Sequence, residues 1–155
     1  MTHADLCVLA SKWLRNKCGC GVVAQEVVSN THSRETPDAI GWRSDYSVLI
    51  ECKTSRADFL ADKRKVFRKV SENGMGNFRF YLCPEWLINC DDLPPKWGLL
   101  HVVNGKIVMI CGPQGNIWSQ SLDFYHHRNL QNELILLVSI CRRLQSHTGL
   151  AGKIK

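Results

Sequence analysis

Two acidic residues and one lysine have the types and spacing that metal-assisted hydrolysis requires. Glu51 and Lys53 stand one residue apart at the end of an apolar, strand-like segment, so the alternation of side chains along a strand places both on one face. Asp38 begins the preceding strand-like segment, and a hairpin between the two segments would bring its carboxylate to the same place. Two converging carboxylates favour a hard cation such as Mg²⁺ or Mn²⁺. The lysine beside them can orient water or neutralise charge on a phosphate.

Each of these residues also has a purely structural interpretation. An aspartate is common in turns, and a Glu–Lys pair is common on an exposed strand. The combination favours the metal site, because the carboxylates lie on adjacent predicted strands directly before a strongly basic segment.

That basic segment holds most of the excess charge of the chain. The sequence of 155 residues has 20 basic and 14 acidic side chains and a net charge of +6, whereas the segment 53–70 alone reaches +5. Its basic residues are Lys53, Arg56, Lys63, Arg64, Lys65, Arg68 and Lys69, and its acids are Asp58 and Asp62. Such a segment attracts polyanions through phosphate contacts, although a solvated helix face is the simpler alternative.

The hydrophobic periodicity predicts a mixed α/β fold with the order α-β-β-β-α-β, followed by a hairpin and a helix. Thr2 and Asp5 have the spacing of a capping box at the start of the first helix, and Asn104-Gly105 is typical of a hairpin turn. The predicted strands are 22–28, 39–42, 46–53, 77–83, 98–103 and 106–111.

Two further helices are predicted from apolar stripes. The second helix is expected to run without a break from Ser55 to about Glu72, with a stripe at 59, 66, 67 and 70. The last helix is expected over about 123–145. Its predicted buried stripe consists of Leu130, Leu134, Leu137, Val138, Cys141 and Leu144.

Length and composition predict one domain over residues 1–155. The 45% share of hydrophobic residues and the 22% share of charged residues exclude a disordered or collagen-like chain. The longest apolar run, 134–141, is too short to span a bilayer. The N-terminal segment lacks the pattern of a secretory signal, so a cytoplasmic location is expected.

The eight cysteines are expected to be free thiols, because a reducing cytoplasm disfavours disulfides. Cys52, Cys111 and Cys141 take positions where small apolar residues are usual, so they are predicted to be buried. The alternative is a structural zinc site at Cys18 and Cys20, completed by other cysteines or a histidine. A pair separated by one residue is a poor arrangement of zinc ligands.

Pro37-Asp38 followed by Glu51-Cys52-Lys53 resembles the PD-(D/E)XK signature of the restriction-endonuclease-like nucleases. The resemblance covers about residues 1–111, and the stretches 51–63, 81–84 and 97–100 are similar to a bacterial and phage branch near the MmcB-like, DNA-repair-associated proteins. It implies a restriction-endonuclease-like core, in which helices flank a central mixed sheet. It also implies a DNA nuclease that depends on Mg²⁺ or Mn²⁺, with a role in DNA repair, recombination or phage DNA metabolism. The Gln-rich motif of the RecB-like exonucleases is absent, which favours an endonuclease.

The resemblance also implies the roles of individual residues. Asp38 and Glu51 would be the metal carboxylates, the backbone carbonyl of Cys52 would be a further ligand, and Lys53 would be the catalytic lysine. Glu26 is the candidate for an additional upstream ligand, with a salt bridge at the rim of the sheet as the alternative. Asp5 and Glu35 are weaker candidates for that position.

DNA is the expected partner, a membrane is not, and a homodimer is compatible with the sequence. Ser55 and Arg56 stand at the predicted start of the second helix, where backbone N–H groups favour phosphate. Lys63 and Arg64 lie two turns further on and could follow a DNA backbone. The alternatives for these four residues are local ion pairs and surface solubility. Among the tryptophans, Trp42 is the one expected to approach a substrate. The alternative function for the whole protein is a non-catalytic nucleic-acid-binding or regulatory module.

Overall fold

The computed structural model describes residues 1–116 and 118–149. Within them, helices and one sheet of six strands form a mixed α/β architecture in the predicted order, α-β-β-β-α-β followed by a hairpin and a helix. The helices are α1 (His3–Asn16), α2 (Arg56–Asp62), α3 (Val66–Lys69) and α4 (Leu130–Thr148). The strands are β1 (Val22–Gln25), β2 (Ala39–Trp42), β3 (Ser47–Cys52), β4 (Phe78–Pro84), β5 (Trp97–Val103) and β6 (Lys106–Cys111).

The strands lie side by side in the order of the sequence. β1, β2 and β3 form an antiparallel meander, β3, β4 and β5 are parallel, and β6 returns antiparallel to β5. The carboxyl ends of β3, β4 and β5 therefore share one edge of the sheet, to which the start of β2 also belongs.

The sheet is covered on both faces, which explains the nearly continuous apolar sequences of its central strands. On one face, α1 packs through Leu6, Ala10 and Leu14 against β3 and β4. On the other face, Phe59 of α2 and Leu136 of α4 contribute to a second core. Side chains at 48, 50 and 52 of β3 belong to the first core, whereas Leu49 belongs to the second.

Local signals at the helix start and the hairpin are confirmed. The Thr2 hydroxyl accepts the N–H of Asp5, and the Asp5 carboxylate accepts the N–H of Thr2. Asn104 and Gly105 both have positive φ angles, +49° and +74°, as a two-residue hairpin turn requires.

The first strand is shorter than predicted. It ends at Gln25 because Glu26 has a φ of +47°, a left-handed conformation that a strand cannot contain.

The prediction of one continuous second helix is wrong. The chain turns after Asp62, resumes as the four-residue helix α3 and passes into a 3-10 turn at 71–73. As a result Val66 and Val70, which were expected in the buried stripe, are exposed.

The predicted buried stripe of the last helix is also largely wrong. Leu130, Leu134, Val138 and Leu144 are exposed, as is Cys141, while the helix begins only at Leu130. The buried positions are instead Asn132, Glu133 and Leu136. Two polar residues take the inner face because both find partners there. The Asn132 side chain accepts the N–H of His32, and Glu133 binds donors from the sheet.

The cysteines are free thiols, and five of them are buried: Cys7, Cys18, Cys20, Cys52 and Cys83. The predicted burial is confirmed for Cys52 and is wrong for Cys141, which is exposed, and for Cys111, which is only partly buried. Burial raises the pKa of the Cys20 thiol to about 11, which keeps it protonated and unreactive at neutral pH.

Across the two described ranges, no helix combines the length and apolar character that a membrane crossing would demand.

Candidate metal and phosphate site

The two predicted metal carboxylates meet at the carboxyl edge of the sheet. Ala39 pairs with Ile50 in the antiparallel register of β2 and β3, so Asp38 stands directly across from Glu51. The Asp38 side chain is fixed there because its Oδ2 accepts the backbone N–H of Cys52 at 2.7 Å. The hairpin that the sequence predicted between these two segments is therefore confirmed.

Glu51 and Lys53 share one face of the strand end, as the alternation predicted. The Lys53 Nζ atom lies 3.5 Å from Oε2 of Glu51, and the two side chains are only 4% and 3% exposed. Cys52, between them, points to the opposite face and packs in the core beneath α1. A carboxylate and an ammonium group buried at this depth need further polar partners.

Arg68 is the main partner, and the sequence did not identify it. Its guanidinium contacts three carboxylates: Nη1 binds Glu35, Nη2 lies 2.8 Å from Oε1 of Glu51, and Nε lies 3.1 Å from Oδ2 of Asp62. The break after α2 turns this residue inward, whereas a continuous helix was expected to expose it. No local pattern in the sequence indicates this pairing, because Glu35 and Glu51 are distant from Arg68 along the chain.

The remaining contacts close this group of charges, which we call the buried ion cluster: Glu35, Glu51, Lys53, Asp62 and Arg68. Oδ1 of Asp62 lies 3.4 Å from Nζ of Lys53, and 2.7 Å from Nζ of the half-exposed Lys65. The Tyr81 hydroxyl donates to Oδ2 of Asp62 at 2.8 Å. Glu35, a weaker candidate for a metal ligand, is engaged by Arg68 and by the backbone N–H of Met75.

The cluster has distinct effects on its acidic and basic members. Burial raises the pKa of Glu51 to about 7, against the opposing effect of Arg68 and with a further increase from Asp38. Burial disfavours the charged form of Lys53, but the carboxylates of Glu51 and Asp62 outweigh it and raise the pKa of the lysine. Burial likewise opposes ionisation of Asp62, yet Arg68 and Lys53 lower its pKa. At neutral pH Lys53 is thus a cation beside a carboxylate that titrates near neutrality.

The outer side of Asp38 carries a second group of donors that includes a histidine the sequence analysis missed. Nε2 of His3 lies 3.3 Å from Oδ1 of Asp38, and Nδ1 lies 3.6 Å from Oε1 of Glu26. The Sγ atom of Cys7 is also 3.6 Å from Nδ1. One ligand atom each from His3, Cys7 and Glu26 fit within 4.8 Å of one another. The position of His3 in the first turn of α1, one turn before Cys7, is the signal that could have indicated it.

Glu26, the tentative upstream ligand, is exposed and stands in this outer group rather than in the buried ion cluster. Asp5, the other weak candidate, is committed to the cap of α1. The alternative zinc cysteines, Cys18 and Cys20, are buried in the first core. They do not belong to the donor group found among the described residues.

The predicted DNA-contacting residues lie at both ends of α2, with Ser55 and Arg56 at its start and Lys63 and Arg64 directly after its end. Ser55 caps the helix by accepting the N–H of Asp58 at 3.2 Å. Arg56 forms a two-pronged ion pair with Asp92, at 2.8 Å and 2.6 Å, and its side chain remains 51% exposed. Lys63 donates to the backbone carbonyl of Asp92.

Arg64 is exposed. The rest of the basic segment is less available for phosphate contacts than its charge suggested, because four of its cations form ion pairs: Lys53, Arg56, Lys65 and Arg68.

Trp42, the tryptophan expected near a substrate, is buried and serves the fold. Its Nε1 donates to Oε2 of Glu133 at 2.9 Å, which joins β2 to α4. His101 is also buried, with Nε2 at 3.0 Å from the Ile88 carbonyl oxygen.

Comparisons with known proteins identify a similar fold but do not indicate a function. No protein-family model matches the chain, and no curated protein matches it. A solved structure, the SPO1766 protein of unknown function from Silicibacter pomeroyi, is similar over the whole length. Its TM-score is 0.61 at 20% identity, with 100% of this chain and 98% of that chain covered. At this level of identity the likeness shows that the two chains share a fold.

Proposed function

We propose that the fold is restriction-endonuclease-like and that the protein is a metal-dependent DNA nuclease. The observation that carries this proposal is the convergence of Asp38, Glu51 and Lys53 at one edge of the sheet. An adjacent pair of strands fixes the two carboxylates, and the alternation within β3 places the lysine beside them.

The donor set fits a divalent cation. Asp38 and Glu51 with the carbonyl of Cys52 would hold Mg²⁺ or Mn²⁺, and Glu26 and His3 would stand at its outer side. Carboxylate and carbonyl oxygens suit both cations, and an imidazole shifts the preference towards Mn²⁺. When bound, such a cation polarises a phosphate and acidifies a coordinated water.

The residues of the chain have separable tasks in this proposal. Asp38 is oriented by the N–H of Cys52 and therefore presents Oδ1 outward. Lys53, held charged by Glu51 and Asp62, supplies a fixed positive charge near the phosphate, where charge develops during hydrolysis. Arg68 keeps Glu51 in place and is a positioning residue, since it reaches the site through that carboxylate.

A non-catalytic nucleic-acid-binding module is the second candidate, and one observation favours it. The Glu51 and Lys53 side chains are almost completely buried and already paired. A cation must compete with Arg68 for Glu51, and a phosphate must reach a lysine covered by neighbouring side chains.

Metal binding separates the two candidates before any assay of activity. Calorimetric titration with Mn²⁺ should show binding that Asp38→Asn weakens at least about tenfold. Asp45→Asn is the matched control, because Asp45 is an acid in the turn at the other end of the same hairpin and pairs with Arg43. Undiminished binding in Asp38→Asn would reject this metal site.

Cleavage is then measured on linear duplex, nicked, branched and single-stranded DNA with Mn²⁺ or with EDTA. The nuclease proposal requires cleavage that EDTA abolishes and that Lys53→Met reduces by about 10² or more. Melting curves of each variant establish that it is folded. DNA binding without Mn²⁺ binding and without cleavage would support the non-catalytic module instead.

A further inference from the structure

One tryptophan is placed very differently from the other four. Trp13, Trp42 and Trp97 are buried and Trp118 is half-buried within an aromatic cluster, whereas Trp86 is 82% exposed. A large aromatic side chain in water forgoes the burial that usually stabilises it. A single exposed side chain is not unusual, so the backbone and location of Trp86 have to carry the argument.

The backbone of Trp86 is strained. Its φ angle is +68°, a conformation that is a true outlier for a bulky residue and costs about 1 kcal/mol or more. Strain of this kind persists where the surrounding structure fixes it and is concentrated at ligand-binding sites.

The turn that carries Trp86 is fixed at both ends. Pro84 closes β4, and the Leu87 N–H donates to its carbonyl at 3.4 Å. Ile88 is fully buried, and His101 binds its carbonyl. The Leu87 carbonyl also accepts from Arg56. The indole is therefore presented outward on a rigid support, so that little conformational entropy is lost when a ligand binds it.

The location links Trp86 to the candidate metal site. Cys52 pairs with Leu82 in the parallel register of β3 and β4, and the Leu82 carbonyl accepts the N–H of Lys53 at 2.8 Å. Trp86 follows Leu82 by four residues, so its Cα lies no more than about 14 Å from that of Leu82. A nucleic acid strand whose phosphate lies at Lys53 would thus reach Trp86 within a few nucleotides.

The charges around Trp86 decide which part of a nucleic acid it meets. Glu85 and Asp91 are exposed on the same loop, Asp92 is paired with Arg56, and Lys63 donates to a loop carbonyl. The charged side chains of the loop 85–92 are all acidic, so the loop itself does not attract phosphates. Its exposed feature is an aromatic plane, and the plane of an unpaired base is the complementary surface.

We propose that Trp86 stacks on an unpaired nucleobase a few nucleotides from the scissile phosphate, which makes DNA with single-stranded character the preferred ligand class. This inference rests on the proposed nuclease function for the position of the strand. The stacking itself needs neither metal nor cleavage.

The test measures binding in EDTA, so that no cleavage interferes. Trp86→Ala should weaken binding to single-stranded oligonucleotides and to duplexes with an unpaired flap by about 5- to 150-fold, the range that corresponds to one stacked base. Binding to a fully paired duplex should change less than twofold, and Trp86→Phe should retain most of the affinity. The loss should be the same at low and high salt, because stacking releases no counterions, whereas phosphate contacts weaken steeply with salt.

Leu122→Ala is the matched control. Leu122 is another strongly exposed apolar side chain, and its loop is tied at His126 to Asn77 and Lys96. Those residues precede β4 and β5, at the opposite edge of the sheet. This variant should bind every DNA form like the wild type.

Several outcomes would overturn the stacking proposal. They are an unchanged affinity in Trp86→Ala, an equal loss for duplex and single strands, or a loss that grows at low salt. A change in tryptophan fluorescence that anionic lipid vesicles cause, that DNA does not cause and that Trp86→Phe removes would also overturn it. If the Trp86-dependent preference is found while Mn²⁺ produces no cleavage, the stacking holds and the nuclease proposal fails. Cleavage without any effect of Trp86 would give the reverse result.

Discussion

Two buried glutamates at opposite edges of the sheet are satisfied in contrasting ways. Glu133 of α4 accepts hydrogen bonds from Trp42 Nε1 at 2.9 Å, Ser47 Oγ at 2.7 Å and the Gly76 N–H at 2.8 Å, and the partly exposed Arg128 lies 3.3 Å from its Oε2. Glu51 of β3 is held by the cations of Arg68 and Lys53.

The difference separates a structural carboxylate from one suited to function. Neutral donors from three elements join α4 to β2, β3 and the turn before β4 through the oxygens of Glu133, and the one cation beside it, Arg128, is partly exposed. The partners of Glu51 are cations, and a bound metal cation could supply the same positive charge. Burial keeps the pKa of Glu51 near 7. The same residue type therefore fixes the fold at one edge and is poised for exchange at the other.

Removal of Arg68 should have the largest effect on stability. Arg68→Met leaves Glu35, Glu51 and Asp62 buried without their main counter-charge, so the free energy of unfolding should fall by about 3–5 kcal/mol at pH 8. The loss should be smaller at pH 5, because protonation of Glu51 relieves it. Urea unfolding at the two pH values measures both effects. Arg64→Met, which alters an exposed cation, should match the wild type, and an equal loss in that variant would contradict the central role of Arg68.

The substitution Glu133→Gln should have the next largest effect on stability. The amide nitrogen cannot accept the hydrogen bonds that one carboxylate oxygen received, so about 1–3 kcal/mol of stability should be lost. Urea unfolding of this variant and the wild type measures the loss. An unchanged free energy of unfolding would contradict the structural role of Glu133.

The charge of Glu51 should make stability depend on pH. Its pKa is raised in the folded state from 4.5 to about 7, so its stabilising contribution is complete below pH 4.5 and is lost as the pH rises through 7. Between pH 5 and pH 8 the wild type should lose roughly 1–3 kcal/mol through this group. Glu51→Gln lacks the ionisation, and denaturant curves should show a correspondingly smaller decrease. Parallel pH profiles of the two proteins would disprove the shifted pKa.

Lys65→Met should have the smallest effect. Nζ of Lys65 lies 2.7 Å from Asp62, but its side chain is half exposed, and Arg68 and Lys53 also neutralise that carboxylate. A change under about 1 kcal/mol is expected, measured by the same unfolding curves. A larger loss of unfolding free energy would show that Lys65 stabilises the protein as strongly as a member of the buried ion cluster.

The sequence predicted what depends on local pattern. Strand alternation gave the shared face of Glu51 and Lys53, and the hairpin between two apolar segments placed Asp38 opposite. Those relations span a few residues or one turn, so periodicity and turn signals are enough to specify them.

The predictions that were wrong concern residues whose positions depend on polar partners far away in the sequence. Arg68 turns inward to Glu35, 33 residues earlier in the chain, and a helical pattern of charges contains no sign of that partner. In α4, the buried polar residues Asn132 and Glu133 displaced the predicted apolar stripe, because their partners lie about 100 and 91 residues away. Trp42, which was expected to approach a substrate, is buried for the same reason, since it donates to Glu133.

A paired measurement on Glu51→Gln and Glu133→Gln tests the central claim most directly. Each variant is assayed for Mn²⁺-dependent DNA cleavage and for its melting temperature at pH 8. The account predicts that Glu51→Gln melts at or above the wild-type temperature with cleavage reduced by at least about 10². Glu133→Gln should melt several degrees lower and, below its transition, cleave DNA at the wild-type rate. Full cleavage by folded Glu51→Gln, together with loss of cleavage in folded Glu133→Gln, would contradict the account.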